Sequence, residues 1–492
     1  MKHRMKDDTI MINETMIDLK IMNALRTLNE NECFVIDTLT EKKYTYCECF
    51  GTAKAVSNRL KDLGAEKVIV ILDNSYPLFV MYFACMFANI TIIPVDPQKS
   101  RYEIHDILSE HKDAVVIGNV HETETIDTYP IEEFYQENFV EKIALYYIWN
   151  DIDLEKIYMI TYTSGSTGRA KGVRHSLKNL FWSAISFGTK MQYGENSILC
   201  HTMPMTYMAG ILNTILMPFI MHAKIVIFPR FNVMSAVAFW RNVVKYNVNT
   251  FWLSPTMLRI LLTVDRKGHT KEYFSDCNPV FSIGTAPLNP ELKLEFENRY
   301  KVKLYQSYGL SETLFLTTAS RNDKNSVDSV GKLLYEADIQ VADDGEILIH
   351  VPWMFKGYHN KSEKDYLDGE YYISGDLGAL RNGELFITGR KKDLIVRGGM
   401  NISPFKIEKE LYQFEEIGEC CVTGIMIDGE ERTVCCYVAK DIECETLERK
   451  INSRLIVKLG VNYRIDCFKK VENIPKNLNG KIDKNNIKKI FL

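Results

Sequence analysis

The chain has 492 residues, 46% hydrophobic and 25% charged, the composition of a packed globular protein with roughly two to four core units. Sixty basic residues against 64 acidic ones give a net charge of −4, so no basic surplus points to nucleic acid. No basic cluster flanks an apolar helix to suggest a membrane surface, and Met1 to Asn13 is charged without the apolar centre of a signal peptide; a cytoplasmic protein is expected.

In chain order, short β-branched runs predict strands at Phe34 to Ile36, Lys67 to Leu72, Ile90 to Val95, Ala114 to Ile117, Tyr158 to Tyr162, Ile225 to Phe228, Thr250 to Leu253 and Val280 to Ile283. Helical patterns such as Thr52 to Leu63 and Ser235 to Tyr246 separate them. This rhythm predicts an α/β fold with parallel-rich sheets covered by helices. Two stretches imitate membrane spans. Pro77 to Val95 has no charge, but Asn89 divides it into a Phe/Met/Ala helix and a β-branched strand. Ile211 to Pro229 divides the same way at Met221 to Lys224. From Gly331 to Gly389 the pattern changes to short strands with turns at Asp343-Asp344-Gly345-Glu346 and Arg381-Asn382-Gly383-Glu384, a small β-rich subdomain. A helix from Ile407 to Phe414 and strands at Cys420 to Ile427 and Val434 to Ala439 predict a compact α+β tail. The twelve cysteines show no C-x-x-C and no metal-ligand spacing, as befits small buried hydrophobes in a reducing compartment.

The most informative segment is Tyr162-Thr163-Ser164-Gly165-Ser166-Thr167-Gly168-Arg169-Ala170-Lys171-Gly172. A predicted strand precedes it, and Val173 to Thr189 is predicted to be a helix. Small residues let backbone N–H groups and hydroxyls approach phosphate oxygens, and Lys171 adds a cation. The spacing does not fit a P-loop NTPase. Further segments follow in order: Gly284-Thr285-Ala286-Pro287, Tyr308-Gly309-Leu310-Ser311-Glu312-Thr313, Ser374-Gly375-Asp376-Leu377, Gly389-Arg390-Lys391-Lys392-Asp393, Gly398-Gly399, and Pro475 to Ile482 around Lys481.

Together these segments resemble the adenylate-forming superfamily, which includes acyl-CoA synthetases, adenylation domains and luciferases, from about residue 30 onward. The resemblance implies ATP-dependent conversion of a carboxylic acid to acyl-AMP, then transfer to a thiol. Thr163, Ser164, Gly165, Ser166, Thr167, Gly168 and Lys171 would hold the outer phosphates. Ser311, standing where Thr is usual, would donate to the α-phosphate, and Glu312 would bind Mg²⁺. Gly284, Thr285 and Ala286 would border adenine, with Tyr308 stacked on it beside Gly309. Asp376 would accept the ribose hydroxyls next to Arg390. A large domain, residues 1–391 with the β-rich part at about 331–389, would be followed by a small mobile domain, 392–492. Lys392 would be the hinge, Gly398 and Gly399 the loop on the thiol side, and Lys481 the catalytic lysine.

The resemblance puts the acyl pocket at Met203 to Gly210, with Tyr207, Met208, Gly210 and Trp252 as walls. No acid stands there to pair with an ammonium group, which disfavours an α-amino acid. Gly309, where acetate-specific relatives carry Trp, implies room for a medium- or long-chain or aromatic acid, and a place in fatty-acid metabolism is expected. Eleven residues follow Lys481, so no fused carrier domain is expected. Free CoA is the expected acceptor, with the phosphopantetheine of a separate acyl- or peptidyl-carrier protein as the alternative. A non-catalytic nucleotide- or acyl-AMP-binding protein would require loss of a key residue, and none is lost.

Overall fold

The computed structural model describes residues 14–492 apart from 119–127, 137–144, 164–169, 267, 269, 320, 323, 360–361, 363–364, 398, 428, 440–442 and 478–480. Two large sheets dominate. A six-stranded sheet has the parallel core Val115–Gly118, Lys67–Ile71, Thr91–Pro94 and Ile157–Thr163, with Lys171–Ser176 antiparallel at its end. A 14-stranded sheet runs in parallel from Cys33–Asp37 through Lys224–Ile227, Ile198–His201, Thr250–Leu253 and Val280–Ile283 to Leu304–Leu310. There it turns antiparallel, through Leu314–Thr318 into the strands of residues 332–390. The β-rich region is therefore continuous with the parallel sheet. Its hairpin turn at Asn382 and Gly383 has positive φ at both positions, as a tight two-residue turn requires.

The membrane-like segments are core. Tyr76–Ala88 is a helix capped by Ser75 and stopped by Asn89 in the left-handed conformation, after which Thr91–Pro94 is a fully buried strand. No helix among the described residues is long and apolar enough to cross a membrane. Between the sheets, Phe219 packs against Phe34, Phe50, Phe83 and Trp149 with centroids 5.0–5.8 Å apart. Burying each such ring is worth about 2–3 kcal/mol.

One core extends from Ile17 to Leu385 and a separate one from Ile395 to Ile465. The second belongs to the smaller C-terminal unit, where Ile417–Ile427, Glu430–Ala439 and Cys467–Lys470 form a sheet covered by Pro404–Leu411 and Cys444–Leu459. All twelve cysteines are free. The neighbours in Cys420-Cys421 and Cys435-Cys436 do point to opposite faces. Across the ladder, however, Cys421 lies opposite Cys436, and Cys420 shares the other face with Cys435.

One predicted element is corrected. Residues 171–176 form a strand, not the start of a helix; the helix is Leu177–Met191, capped by Ser176. Val173 and His175 are fully buried, and the strand bonds to Ile157–Thr163 on one side and reaches Tyr358 on the other. The strands that flank the phosphate segment are thus paired antiparallel, and the helix begins only after the second of them.

Candidate active site

The hairpin closes with Thr163 paired to Lys171, so the loop begins and ends at adjacent backbone positions. Ser164, Gly165, Ser166, Thr167 and Gly168 lie outside the described residues. The Lys171 ammonium stands 5.1 Å from the ring centre of Tyr358. The Tyr358 hydroxyl donates to Glu312 Oε1 at 2.6 Å, which brings the phosphate-loop cation and the candidate magnesium ligand to one aromatic ring.

Ser311 and Glu312 occupy the turn between Leu304–Leu310 and Leu314–Thr318, and this turn is held from three sides. The Ser311 carbonyl accepts from His175 Nε2 at 2.7 Å, the Glu312 carbonyl from Phe355 N at 2.9 Å, and the Thr313 carbonyl from the Trp353 indole at 2.9 Å. Burial pushes His175 down to about 4, so it stays a neutral donor. Leu314 follows in the left-handed conformation (φ 53°), which turns the chain back on itself. The Glu312 side chain is half-buried, and no cation among the described residues pairs with it. A hard carboxylate oxygen of this kind fits Mg²⁺.

Gly309 also meets a backbone constraint that the sequence did not show. A Cβ there would lie 1.8 Å from the Leu314 carbonyl oxygen. The close approach of two backbones therefore demands glycine, whatever the size of the acid. Gly309→Trp is expected to cost at least about 1–3 kcal/mol and to depress activity on every acid alike. Thermal unfolding and acid profiles of the variant check this; an unchanged melting temperature with a shift toward short acids would restore the pocket-size explanation.

The nucleotide residues converge. Asp376 is 2% exposed, accepts from the Tyr308 hydroxyl at 2.7 Å, and pairs with Arg390 Nε at 2.8 Å. Burial opposes the charge of Arg390, but Asp376 beside it drives its pKa up overall. Burial, reinforced by Asp376, pushes the Tyr308 phenol up, so it remains a donor. Gly284 ends the Val280–Ile283 strand; a Cβ there would come within 3.2 Å of both Ser307 O and Trp252 Cζ2. Thr285 follows at φ 73°, an uncommon conformation for a β-branched residue and a sign of a backbone held under strain. Ala286 completes the segment.

The acyl segment is similarly constrained. Gly210 lets the chain approach Pro204, where a Cβ would lie 1.9 Å from the carbonyl oxygen. Asn74 bonds Met203 O and Met205 N at 2.7 Å each, and the Tyr82 hydroxyl donates to Met205 O. Tyr207 precedes the short helix Met208–Ile211. Trp252 is buried against the stacked pair Phe187 and Phe315, 5.4 Å from each ring.

Lys481 of the C-terminal unit reaches this segment, its Nζ 5.6 Å from the Tyr207 ring centre. It sits in a narrow loop closed by a Lys476–Ile482 bridge, and its N–H donates to Asn477 Oδ1 at 3.0 Å. Lys392 lies in the turn Lys391–Asp393, where burial and then Arg390 push its pKa down. Gly399 sits at φ 78° with open space around it, and Gly398 lies outside the described residues.

Sequence reasoning missed His175, Tyr358, Asn74 and Trp353. Each acts by reaching across the fold to a motif far away in the chain, and its own neighbours carry no signal of that contact.

A family model, AMP-binding enzyme, matches residues 24–359. The 2-succinylbenzoate–CoA ligase of Listeria monocytogenes serotype 4b (strain F2365) is 27% identical over 460 residues, covering 91% of this chain and 94% of the relative. In structure the chain is similar to ATP-bound MatB from Rhodopseudomonas palustris, with TM-score 0.85 at 21% identity over 96% of this chain and 98% of that one. It is also similar to o-succinylbenzoate CoA synthetase from Bacillus subtilis in complex with its acyl-adenylate intermediate. That match has TM-score 0.79 at 20% identity, over 95% of this chain and 97% of that one. At such identities the structural matches establish the fold.

Proposed function

The chain belongs to the AMP-binding enzyme family, and from that premise we propose that it is an AMP-forming acid–CoA ligase acting on an aromatic carboxylic acid. The observation that carries this reading is the Lys481 ammonium of the C-terminal unit over the Tyr207 ring, with Glu312 held by Tyr358 and Asp376 held by Tyr308 and Arg390 in the larger unit. The class of acid is supported by the aryl-acid ligase among the relatives. These relatives lend no support to the fatty-acid metabolism expected above.

The chemistry follows from charge. A carboxylate attacks the α-phosphate of ATP, so two anions must meet, and the site needs cations and donors at the developing charge. Lys481 would offset charge between the carboxylate and the α-phosphate. Ser311 would donate to the phosphate, while Lys171 and the phosphate loop would hold the outer phosphates. Asp376 would orient the ribose, its second lone pairs remaining open beside Tyr308 and Arg390. Glu312 would hold Mg²⁺, which when bound shields the phosphate oxygens. Boundaries at 1–391 and 392–492 are proposed for the two domains, with Lys392 as the hinge between them.

Pyrophosphate exchange with a panel of acids, followed by mass analysis of thioesters formed with CoA or with a phosphopantetheinyl carrier protein, tests the reading. Stimulation by aryl acids such as 2-succinylbenzoate and a CoA thioester are expected; exchange with α-amino acids only, or with none, overturns it. Glu312→Gln is expected to slow exchange by about tenfold to a hundredfold and to raise the magnesium requirement, because a charge is lost and an oxygen ligand kept. Wild-type exchange at limiting magnesium would remove Glu312 from the role.

A further inference from the structure

Beside the phosphate hairpin lies a group of side chains that acid activation does not use. Glu110 ends the helix Arg101–Glu110, and His111 follows as its cap. The Tyr162 hydroxyl donates to Glu110 Oε2 at 2.7 Å and lies 2.7 Å from His111 Nε2. His359 stacks on His111, with ring centroids 4.5 Å apart and planes at 29°. One ligating atom each from Glu110, His111 and His359 lies within 4.8 Å of the other two.

The hydrogen-bond chain fixes the tautomer of His111. A carboxylate only accepts, so the single Tyr162 proton goes to Glu110. The Tyr162 oxygen is then the acceptor, and His111 Nε2 carries its proton. The free lone pair therefore falls on His111 Nδ1. His111 is 1% exposed, and Nδ1 is buried with no hydrogen-bond partner. A buried acceptor without a donor is an uncompensated cost, and a cation removes it. A ligating imidazole characteristically donates its other N–H to an oxygen that orients it, as His111 does to Tyr162. The carbonyl end of the helix adds negative potential at the same point.

We propose that Glu110, His111 and His359 form a binding site for a divalent transition-metal ion, Zn²⁺ or Co²⁺, distinct from the magnesium that accompanies ATP. Two imidazoles and one carboxylate with open positions are a donor set suited to these ions. Glu110 has a second oxygen for the ion while the first keeps Tyr162. An ion here would tie the end of the Arg101–Glu110 helix to the hairpin, because His359 N donates to Gly172 O at 2.7 Å. It would also act next to Tyr358, whose hydroxyl holds Glu312.

The test uses the full chain, with Co²⁺ as the spectroscopic probe and Zn²⁺ in competition with a chromophoric chelator. One equivalent of Co²⁺ should give visible d–d bands without the near-ultraviolet sulfur-to-metal band that binding to a cysteine would produce. His359→Ala and Glu110→Gln, both on partly or fully exposed side chains, should each weaken Zn²⁺ binding at least about tenfold, and Tyr162→Phe about tenfold through loss of orientation. Their circular dichroism should match the parent. The buried His111→Ala is informative only if it folds, so the other variants decide the matter. No uptake at millimolar Co²⁺, a sulfur-to-metal band, or affinity unchanged in both His359→Ala and Glu110→Gln would each overturn the site.

Discussion

Lys481→Ala should abolish acyl-AMP formation from acid and ATP, by about 10²–10³-fold, the scale of losing one stabilising group at a transition state. The same variant should convert supplied acyl-AMP and CoA to thioester at close to the parent rate. The lysine reaches the candidate acyl segment from the C-terminal unit, over the face of Tyr207, and in the proposed reaction its charge would fall between carboxylate and phosphate. It has no part in a thiol's attack on an acyl carbon. Its loop is built to present it: Asn477 N donates to Lys481 O at 2.8 Å and the Asn477 side chain receives the Lys481 N–H. Truncating the side chain leaves these backbone bonds in place, so the fold should survive. The ring beneath it refines the prediction. Tyr207→Phe keeps a π-face for the ammonium and should retain most adenylation, whereas Tyr207→Leu removes an interaction worth about 0.5–2 kcal/mol and should lower adenylation alone. Feeding each variant acid plus ATP, or preformed acyl-AMP plus CoA, separates the two steps. Equal loss of both in a folded Lys481→Ala protein would refute the division of labour.

Much of the fold was legible because its signals are local. β-branched runs such as Ile225 to Phe228 are buried on both faces and so are apolar throughout. Asn382-Gly383 predicts its turn because only such residues accept positive φ at both positions. The candidate nucleotide residues were proposed for a related reason: each motif combines a backbone geometry with a side chain, as in Gly375-Asp376. What was hidden depends on distant partners. Val173 to Ser176 has no strict alternation, and it becomes a strand only because Ile157–Thr163 and Tyr358 supply ladder partners. At Gly309 the close approach of Leu314 across the turn, which local sequence does not show, adds its own demand for glycine. The cysteine pairs diverge along each strand yet meet across the ladder, which spacing in one strand cannot reveal. Glu110-His111 and His359, about half the chain apart in sequence, are brought together by the hairpin, which meets His359 at Gly172 and Glu110 and His111 at Tyr162.

Lys392→Pro should do the opposite of Lys481→Ala: keep pyrophosphate exchange within a few-fold and lose thioester formation by at least about 10²-fold. The observed arrangement has Lys481 in the acyl segment, and ties between the two units hold it there. Lys409 pairs with Asp328 at 2.9 Å and Gln413 donates to Glu291 at 2.8 Å, while within the larger unit the Lys391 ammonium, next to the proposed hinge, spans Asp344 and Glu346 at 2.7 Å each. With Lys481 over Tyr207, the proposed second step would need the C-terminal domain to rotate and admit a thiol. Arg390 is extended, Lys391–Asp393 form a tight 3₁₀ turn, and Leu394 is extended again. A rotation of the following domain needs new φ and ψ values in this short segment. Proline at 392 fits the φ of the existing turn, near −65°, and in a first turn the missing N–H is not needed. It resists helical backbone at Lys391, but the two ion pairs of that side chain oppose the shift, which is why only a small loss of exchange is expected. The substitution thereby stabilises the arrangement that adenylates and denies the chain the one that releases the acyl group. Lys392→Ala is the control, because it removes the same side chain without fixing φ and should leave both steps near parent rates. If Lys392→Pro makes thioester from acyl-AMP and CoA as fast as Lys392→Ala, residue 392 is not the point about which the domain turns.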